Sequence, residues 1–367
     1  MSASNRLVLH TEASLGFGGQ EIRIVAEARW LLDHGWRALL AGQPGSHFLE
    51  EAQRQRVPTV AVRMRRPLDV PALLALRRLM VDRDVALVHT HSSTDSWLGG
   101  LAARACRRPV VRSRHVTIAI PRRRALVYRL ADRIISSGEA AARVVAGSGV
   151  PAARIVAIPP GVDTGRFHSG VSGAGVRAEL GLGEAPVVGL VANIRGSKGH
   201  GVFLDAARQV GAREPAALFL IVGDGIGFDD VRRRVDELGL GGVVRMTGFR
   251  RDIPEVMAAL DVLVLPSIRS EAASQVIPQA LAVGTPVVAT DVGGSGEIVR
   301  DGETGRLVPA NDAAALARAV LDCLADRAGA RSMARRGQAL VQARHSLDAA
   351  MTRTTAVYRE LLEGPAE

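Results

Sequence analysis

Short apolar runs alternate with amphipathic stretches along the first half of this chain. Runs of four or five apolar residues are each followed by a stretch in which apolar positions recur every three or four residues. The pattern predicts strands at 7–10, 37–41, 86–90, 109–112, 134–137 and 155–158, and helices at 20–34, 71–81, 97–105, 122–132 and 139–148. Such alternation is typical of parallel strands joined by crossover helices.

A second series of the same kind begins at residue 187. It predicts strands at 187–191, 218–222, 243–247, 262–265 and 287–289, helices at 201–213, 228–238, 253–260 and 275–283, and further helical stretches at 313–325 and 346–362. A segment rich in Gly and Ser, residues 164–175, separates the two series. We therefore expect two α/β domains, residues 1–165 and 166–345, and a final helical segment, residues 346–367.

The size and composition of the chain agree with two soluble domains. Its 367 residues exceed the usual size of one hydrophobic core. Two cysteines, Cys106 and Cys323, are too few and too distant in sequence to indicate a disulfide framework or a zinc cluster. No apolar run approaches the roughly 20 residues that span a bilayer, and the first residues lead straight into a strand. We expect a cytoplasmic protein that is soluble or peripheral to a membrane.

The positive charge of the chain lies in its first half. Residues 1–165 contain 24 Arg, no Lys and 13 acidic residues, and the rest of the chain is close to neutral. Such a charge attracts polyanions, whether nucleic acid, an anionic membrane or a phosphorylated acceptor, unless it only reflects an Arg-rich proteome. Because aromatic residues make up only 3% of the chain, stacking readout of nucleic acid is not expected.

One loop of the second half combines two positive charges. Residues 192–200 follow a predicted strand and carry Arg195 and Lys198, the single lysine beside 46 arginines. A compact ammonium suits a tight phosphate pocket better than a planar guanidinium does. Both cations could neutralise a diphosphate that gains charge as a bond to it breaks. The alternative interpretation is a solvated basic loop.

A glycine-rich loop, 16–19, follows the first strand and opens the first helix. Backbone N–H groups at a helix N-terminus can receive an anion. A dinucleotide fingerprint is a weak match, because Glu21 stands where the third glycine belongs. A purely structural turn remains open as well.

Two more candidates stand at predicted strand ends, where open parallel sheets bind ligands. Glu271 precedes a helix that carries Gln279 two turns later, so it could accept hydrogen bonds from sugar hydroxyls or simply cap the helix. His115 ends a strand of the first half and could contact a ligand or belong to the core.

Together these motifs resemble the retaining glycosyltransferases of the GT-B fold, in the group called glycosyltransferase family 4, over nearly the whole chain. The order and spacing of the following segments carry the resemblance: 18–21, 88–91, 158–163 with Phe167, 195–199, 222–225, 248–249, 266–271, 282–290 and 293–305. The resemblance implies two facing Rossmann-like α/β/α domains with a cleft between them, the first binding the acceptor and the second the nucleotide sugar. The last helix would cross back onto the first domain.

The resemblance also implies roles for individual residues. The catalytic candidates are Arg195, Lys198, Glu271 and His115. The donor-binding candidates are Gly18, Gly19, Arg195, Lys198, Gly223, Phe249, Arg250, Glu271, Ser274, Gln275, Val276 and Gln279. The acceptor-binding candidates are Gln20, His91 and His115. Gln279 departs from the Glu that is usual in the family, which puts ribose affinity in question.

The expected activity is transfer of a sugar, with retention of configuration, from a UDP- or GDP-type nucleotide sugar to a glycan or lipid-linked acceptor. No metal or other cofactor is expected. The implied process is synthesis of a surface polysaccharide or lipopolysaccharide at the inner membrane face, and the arginines 122–124 beside the apolar residues 125–128 suit a helix on anionic lipid. The alternatives are a sugar-nucleotide epimerase of the same fold and a non-catalytic polyanion-binding protein.

Overall fold

The chain folds into two compact units. The computed structural model describes residues 6–269 and 274–364. The first unit runs to Gly161 and resumes at Leu347, and the second spans Val162–Ser346. These boundaries lie within a few residues of those suggested by the sequence pattern.

The described part of the first unit contains a sheet of seven parallel strands. They are β1 (Leu7–Glu12), β2 (Arg37–Gly42), β3 (Thr59–Ala61), β4 (Leu87–Thr90), β5 (Val110–Arg114), β6 (Arg133–Ser136) and β7 (Ile155–Ala157). Their order is β3-β2-β1-β4-β5-β6-β7. The order reverses between β1 and β4, so the carboxyl ends of these two strands flank the point where open α/β sheets bind ligands.

Helices cover both faces of this sheet. They are α1 (Gly19–Asp33), α2 (His47–Arg54), α3 (Val70–Asp82), α4 (Ser93–Ala105), α5 (Arg122–Ala125) and α6 (Glu139–Ala146). Two separate clusters of buried apolar residues lie in this unit, as both faces of a parallel sheet require. Local signals fix the helix starts: the Asp69 carboxylate accepts the N–H of Ala72 at the start of α3, which has Pro71 in its first turn.

The structure corrects the predicted helix at 122–132. Its α-helical part is only α5, and a 3₁₀ turn over Leu126–Leu130 follows. Val127 and Tyr128 are buried in the core, and the guanidinium of Arg112 lies 4.1 Å from the Tyr128 ring centroid. The segment therefore directs two of its apolar side chains inward and offers no continuous amphipathic helix to a membrane. The short elements α2 and β3 were not predicted.

The described part of the second unit contains a sheet of six parallel strands. They are β8 (Val187–Val191), β9 (Leu218–Val222), β10 (Val244–Met246), β11 (Val262–Leu265), β12 (Val287–Thr290) and β13 (Arg306–Val308). The order β10-β9-β8-β11-β12-β13 reverses between β8 and β11. Except for β13, each strand coincides with a predicted one to within a residue or two.

The helices after Gly161 are α7 (Ala174–Glu179), α8 (His200–Gly211), α9 (Phe228–Glu237), α10 (Ile253–Ala259), α11 (Val276–Val283), α12 (Ala313–Ala325), α13 (Arg327–Leu340) and α14 (Leu347–Glu363). The sequence pattern missed α13 because its buried residues are small, namely Ala330, Ala334 and Gly337. The predicted Gly/Ser-rich linker was wrong at its end, because α7 begins at Ala174.

The helix α14 belongs to the first unit, where it packs against α1. Met351 and Tyr358 of α14 are fully buried in the cluster that also holds the apolar face of α1. Trp30 Nε1 of α1 donates to Asp348 Oδ1 at 2.6 Å. No helix in the described ranges is long and apolar enough to cross a membrane.

Candidate functional site

Neighbouring loops at the carboxyl edge of the second sheet are joined through their backbones. Ile194 N–H donates to Asp224 O at 2.8 Å, and Gly223 N–H donates to Gly248 O at 2.9 Å. A Cβ at Gly223 (φ 139°) would lie only 1.9 Å from the carbonyl oxygen of Ala192. The loops after β8, β9 and β10 therefore form one continuous edge, and a glycine is required where they touch.

The loop after β11 joins the same edge. Ile268 N–H donates to Ser197 O at 3.0 Å. Gly199 has a φ of 72°, and a Cβ there would lie 1.9 Å from Pro266 O. The turn that carries Lys198 is thus pressed against the backbone that leads from β11 towards α11.

Two cations lie on this edge directly before α8. Arg195 is exposed, and Lys198 is half-buried at the end of a helical turn over residues 196–198. Burial, and then the nearby charge of Lys198, lower the pKa of the buried His200 to about 4, so its imidazole is neutral at physiological pH. The positive potential here comes from Arg195, Lys198 and the N–H groups of the first turn of α8.

Phe249 and Arg250 follow β10 and have different surroundings. Phe249 is 54% exposed, and the Arg251 guanidinium lies 5.3 Å from its ring centroid. Arg250 makes two hydrogen bonds to Glu179, at 2.6 and 2.7 Å, and two to Asp252, at 2.5 and 2.9 Å. The bonds to Glu179, and then those to Asp252, raise the pKa of Arg250. Its contact with the donor stays a prediction, and the guanidinium already holds two carboxylates.

The helix α11 brings two amides to one side. Ser274 is buried, Gln275 is half-buried just before the helix, and Val276 is its first residue. Gln279 lies four positions after Gln275 and donates its N–H to Gln275 O at 3.1 Å, so both side chains project from one face. Glu271 lies outside the described residues, and its predicted role stays a prediction.

Two buried carboxylates, Glu12 at the end of β1 and Asp95 in α4, lie near the carboxyl edge of the first sheet. Glu12 Oε1 accepts the N–H of Ser14 at 2.8 Å, and the Gln20 amide bonds the other oxygen. Burial, and then the charge of Asp95, raise the pKa of Glu12 to about 8. Asp95 accepts the His91 N–H at 2.8 Å, and burial raises its pKa as well. This arrangement holds Gln20 and His91 at the reversal point of the sheet.

Three imidazoles form a chain of hydrogen bonds at the same edge. His10 Nδ1 lies 3.0 Å from His91 Nε2, and His91 Nδ1 lies 3.2 Å from His115 Nε2. Burial lowers the pKa of His10 to about 3. It also lowers the pKa of His91 and His115 well below the usual range, helped by neighbouring positive charges. All three rings are therefore neutral at physiological pH.

A fourth imidazole, His89, lies beside this chain. Its Nδ1 is 2.6 Å from the Tyr358 hydroxyl and its Nε2 is 2.8 Å from Ser113 Oγ. Ring nitrogens of His10, His89 and His91 lie within 4.8 Å of one another, close enough to hold a metal ion. However, the two hydroxyls already account for both nitrogens of His89. Both nitrogens of His89 thus lie at hydrogen-bond distance from a hydroxyl group.

Comparison with known proteins identifies the family. The family described as Glycosyltransferase Family 4 matches residues 17–166, and that described as Glycosyl transferases group 1 matches residues 185–326. The GDP-mannose-dependent alpha-(1-6)-phosphatidylinositol monomannoside mannosyltransferase of Mycolicibacterium smegmatis is 32% identical over 77% of this chain and 76% of its own. This chain is a family 4 glycosyltransferase.

Other relatives agree with the family and the fold. The lipopolysaccharide core biosynthesis glycosyltransferase LpsE of Rhizobium meliloti is 34% identical to the glycosyltransferase over 49% of this chain and 50% of its own. The crystal structure of Anabaena HepE in complex with UDP-glucose has a TM-score of 0.88 at 23% identity and covers 96% of this chain and 99% of its own. The expected GT-B fold class, with two α/β domains that each contain a parallel sheet, is confirmed. The relatives favour neither the epimerase nor the polyanion-binding alternative.

In the glycine-rich loop of the glycosyltransferase, the backbone at Gly18 already takes part in capping α1. Gly18 is extended, and its N–H donates to Glu21 Oε2 at 2.8 Å. That N–H is therefore already bonded. A Cβ at Gly19, the first residue of α1, would meet nothing within 4 Å, so packing does not require a glycine there. Phosphate contacts at Gly18 and Gly19 stay predictions.

Sequence reasoning missed His10, Glu12 and Asp95. A signal was present, because His10 and Glu12 are polar residues in a short strand that is fully buried and central to the sheet. Asp95 carried a weaker signal as the third residue of a helix that begins at Ser93. The structure brings Glu12 and Asp95 into electrostatic contact and links His10 to His91 and His115.

Proposed function

We propose that this glycosyltransferase moves a sugar, with retention of configuration, from a nucleoside diphosphate sugar bound by the second unit to an acceptor bound by the first. The observation that carries the proposal is the pair Arg195 and Lys198 at the N-terminus of α8, on the edge where the loops are joined. A leaving diphosphate gains negative charge as its bond to the sugar breaks, and preorganised cations stabilise that charge. The names of the relatives, which specify GDP-mannose and UDP-glucose, support a donor of this class.

The remaining donor contacts follow from α11. Gln275 and Gln279 share one face of the helix end, and an amide can both donate to and accept from a ribose diol. We propose that Glu271 binds the transferred sugar and that Phe249, which is exposed after β10, contacts the base. Because two cations and a helix N-terminus supply positive charge, the proposed chemistry needs no metal.

The proposed donor site is tested by changing its cations. Lys198→Ala and Arg195→Ala should each lower turnover by about 10²-fold, the scale of losing one preorganised charge. Arg208→Ala, on the exposed side of α8, is the matched control and should change turnover by about twofold at most. Separation of the products distinguishes transfer from hydrolysis and epimerisation, and the anomeric configuration of the product tests retention. Near-normal turnover in both variants would remove the phosphate assignment.

The base and sugar of the donor can be identified by stabilisation. A ligand that binds only the folded protein raises its melting temperature by mass action. A panel of nucleoside diphosphates should include one that raises it by several degrees in the wild type and by much less in Lys198→Ala. Equal shifts in both proteins would place the nucleotide elsewhere.

We propose that the acceptor is a glycan or lipid-linked molecule of surface polysaccharide or lipopolysaccharide synthesis, and that Gln20, His91 and His115 face it. The relatives named for phosphatidylinositol monomannoside and for lipopolysaccharide core support this class. The excess of arginine in residues 1–165 suits an anionic acceptor and a cytoplasmic enzyme working at the inner membrane face.

The surface that suits the membrane lies on α3. Val70, Leu74 and Val81 are all more than half exposed, opposite the buried stripe of Ala72, Leu76 and Met80. At 100° per residue the three exposed residues line one face, and the exposed Arg77 and Arg78 flank it on either side. An apolar stripe bordered by arginines fits the boundary of an anionic bilayer.

Co-sedimentation with vesicles tests this surface. Binding to anionic vesicles at low salt should be lost when Val70, Leu74 and Val81 are changed to Ser together, and should weaken at moderate salt. Changing residues 122–124 from Arg to Ser should weaken binding less, because part of the neighbouring apolar segment is buried. Binding that depends neither on salt nor on the α3 substitutions would refute the membrane proposal. The arginines would then be only a feature of an Arg-rich surface.

A further inference from the structure

We infer that His10 and His91 are positioning residues that fix the tautomer of His115, so that its ring presents an N–H to the ligand. The inference deepens the proposed function, in which His115 contacts a substrate. It rests on two hydrogen bonds, from His10 Nδ1 to His91 Nε2 and from His91 Nδ1 to His115 Nε2.

Proton counting restricts the chain to two states. A neutral imidazole carries one N–H and one bare nitrogen, and each hydrogen bond needs one of each. If His10 carries its proton on Nδ1, it donates to His91, whose own proton must then be on Nδ1 and donate to His115. If His10 Nδ1 is bare, every bond reverses. Both bonds form only when all three rings carry their protons on the same atom.

The free end of the chain selects one state. His10 Nε2 is buried and has no hydrogen-bond partner among the described residues. In the reversed state this atom would be a buried, unsatisfied N–H, whereas in the first state it is only a bare nitrogen. Orphaned buried N–H groups are rarer and more costly than under-satisfied acceptors. Each N–H in the row of histidines therefore donates away from His10 and towards His115, and His115 carries its proton on Nδ1.

This direction decides what His115 can do. Its Nε2 accepts from His91, and its Nδ1–H remains as the group available to a ligand. A neutral ring of this tautomer can donate to a sugar hydroxyl or a phosphate oxygen, and it cannot take a proton from the acceptor through Nδ1. His115 thus acts as a hydrogen-bond donor and not as a general base in the proposed transfer.

The tautomers can be observed directly by NMR. In protein with ¹⁵N-labelled histidine, the ring-nitrogen shifts of His10, His91 and His115 should each report a protonated Nδ1 and a bare Nε2 at neutral pH. Resonances are assigned by single-site variants. This readout needs no turnover, so it remains informative if the proposed transfer reaction fails.

Variants of His10 separate positioning from packing. His10→Phe keeps a flat ring but cannot donate, and we expect the His115 tautomers to become mixed and kcat to fall by about tenfold, the scale of one lost hydrogen bond. His10→Asn places an amide N–H near the lost Nδ1–H and should restore both readouts. His47→Phe, at an exposed site of α2, is the control and should change neither.

Three results would overturn the inference. A bare Nδ1 on His115 in the wild type would show the reversed direction. An unchanged His115 spectrum in His10→Phe would show that the chain does not set its tautomer. Stoichiometric metal in the purified protein, lost in both His10→Phe and His10→Asn, would show that the cluster with His89 is a metal site.

Discussion

The buried side chain of Glu12 leads to a quantitative prediction of how the free energy of unfolding depends on pH. Its folded-state pKa is about 8, against an ordinary value of 4.5, because burial and then the charge of Asp95 disfavour the charged form. The folded protein therefore binds a proton that the unfolded chain has released. Stability from this group is fully present below pH 4.5 and is lost as the pH rises through 8.

The size of the effect follows from the two pKa values. A gap of one pKa unit corresponds to about 1.4 kcal/mol. Between pH 6 and 7.5, Glu12 should lower the free energy of unfolding by about 2 kcal/mol as the pH rises. Glu12→Gln is the matched perturbation, since it imitates the protonated acid, can still accept the Ser14 N–H and cannot ionise.

The assay is urea unfolding followed by tryptophan fluorescence. Trp30, Trp36 and Trp97 are the three tryptophans, and all lie in the first unit with Glu12. The stability of Glu12→Gln minus that of the wild type should grow by about 2 kcal/mol from pH 6 to 7.5. Glu51→Gln removes a carboxylate from α2 in the same unit and should run parallel to the wild type. Parallel curves for Glu12→Gln would refute a neutral Glu12.

Three further predictions concern the donor site. Gly199→Ala should lower turnover by about 10²-fold, because its Cβ would lie 1.9 Å from Pro266 O and would displace the loop that carries Arg195 and Lys198. Gly201→Ala is the control, since a Cβ there meets nothing within 4 Å. Equal turnover in the two variants would show that the close approach at Gly199 does not matter. Gln279→Glu should keep activity or tighten donor binding in a titration, and complete inactivation would mean a different geometry at the ribose. Turnover should survive exhaustive chelation, and rescue of a chelated, inactive enzyme by Mg²⁺ would contradict the metal-independent chemistry.

Where the sequence pattern predicted elements correctly, local signals were sufficient. The strands β8, β9 and β11 are continuous apolar runs with a proline or glycine directly at one end, and the loop before α8 was marked by its lone lysine. The pattern failed where packing decides the conformation. The sequence pattern predicts Val127 and Tyr128 as part of an α-helix, but their side chains pack in the core and the backbone forms a 3₁₀ turn there.

The histidine chain and the Glu12–Asp95 pair could not be predicted because they depend on strand pairing. β1 and β4 are far apart in sequence, and only their parallel register places His10 opposite His89. A one-residue change of register would turn these side chains to opposite faces of the sheet. Family resemblance named His91 and His115, yet it gave no reason to connect them with His10.

The return of α14 to the first unit constrains how the protein is made. During translation the whole of the second unit leaves the ribosome before Met351 and Tyr358, although both complete the core beside α1 and Tyr358 meets His89. The second unit can therefore fold as soon as it has been synthesised. The first unit, although its synthesis began earlier, keeps an apolar face uncovered until α14 has been made. A nascent chain stalled before Leu347 should expose that face to chaperones and proteases.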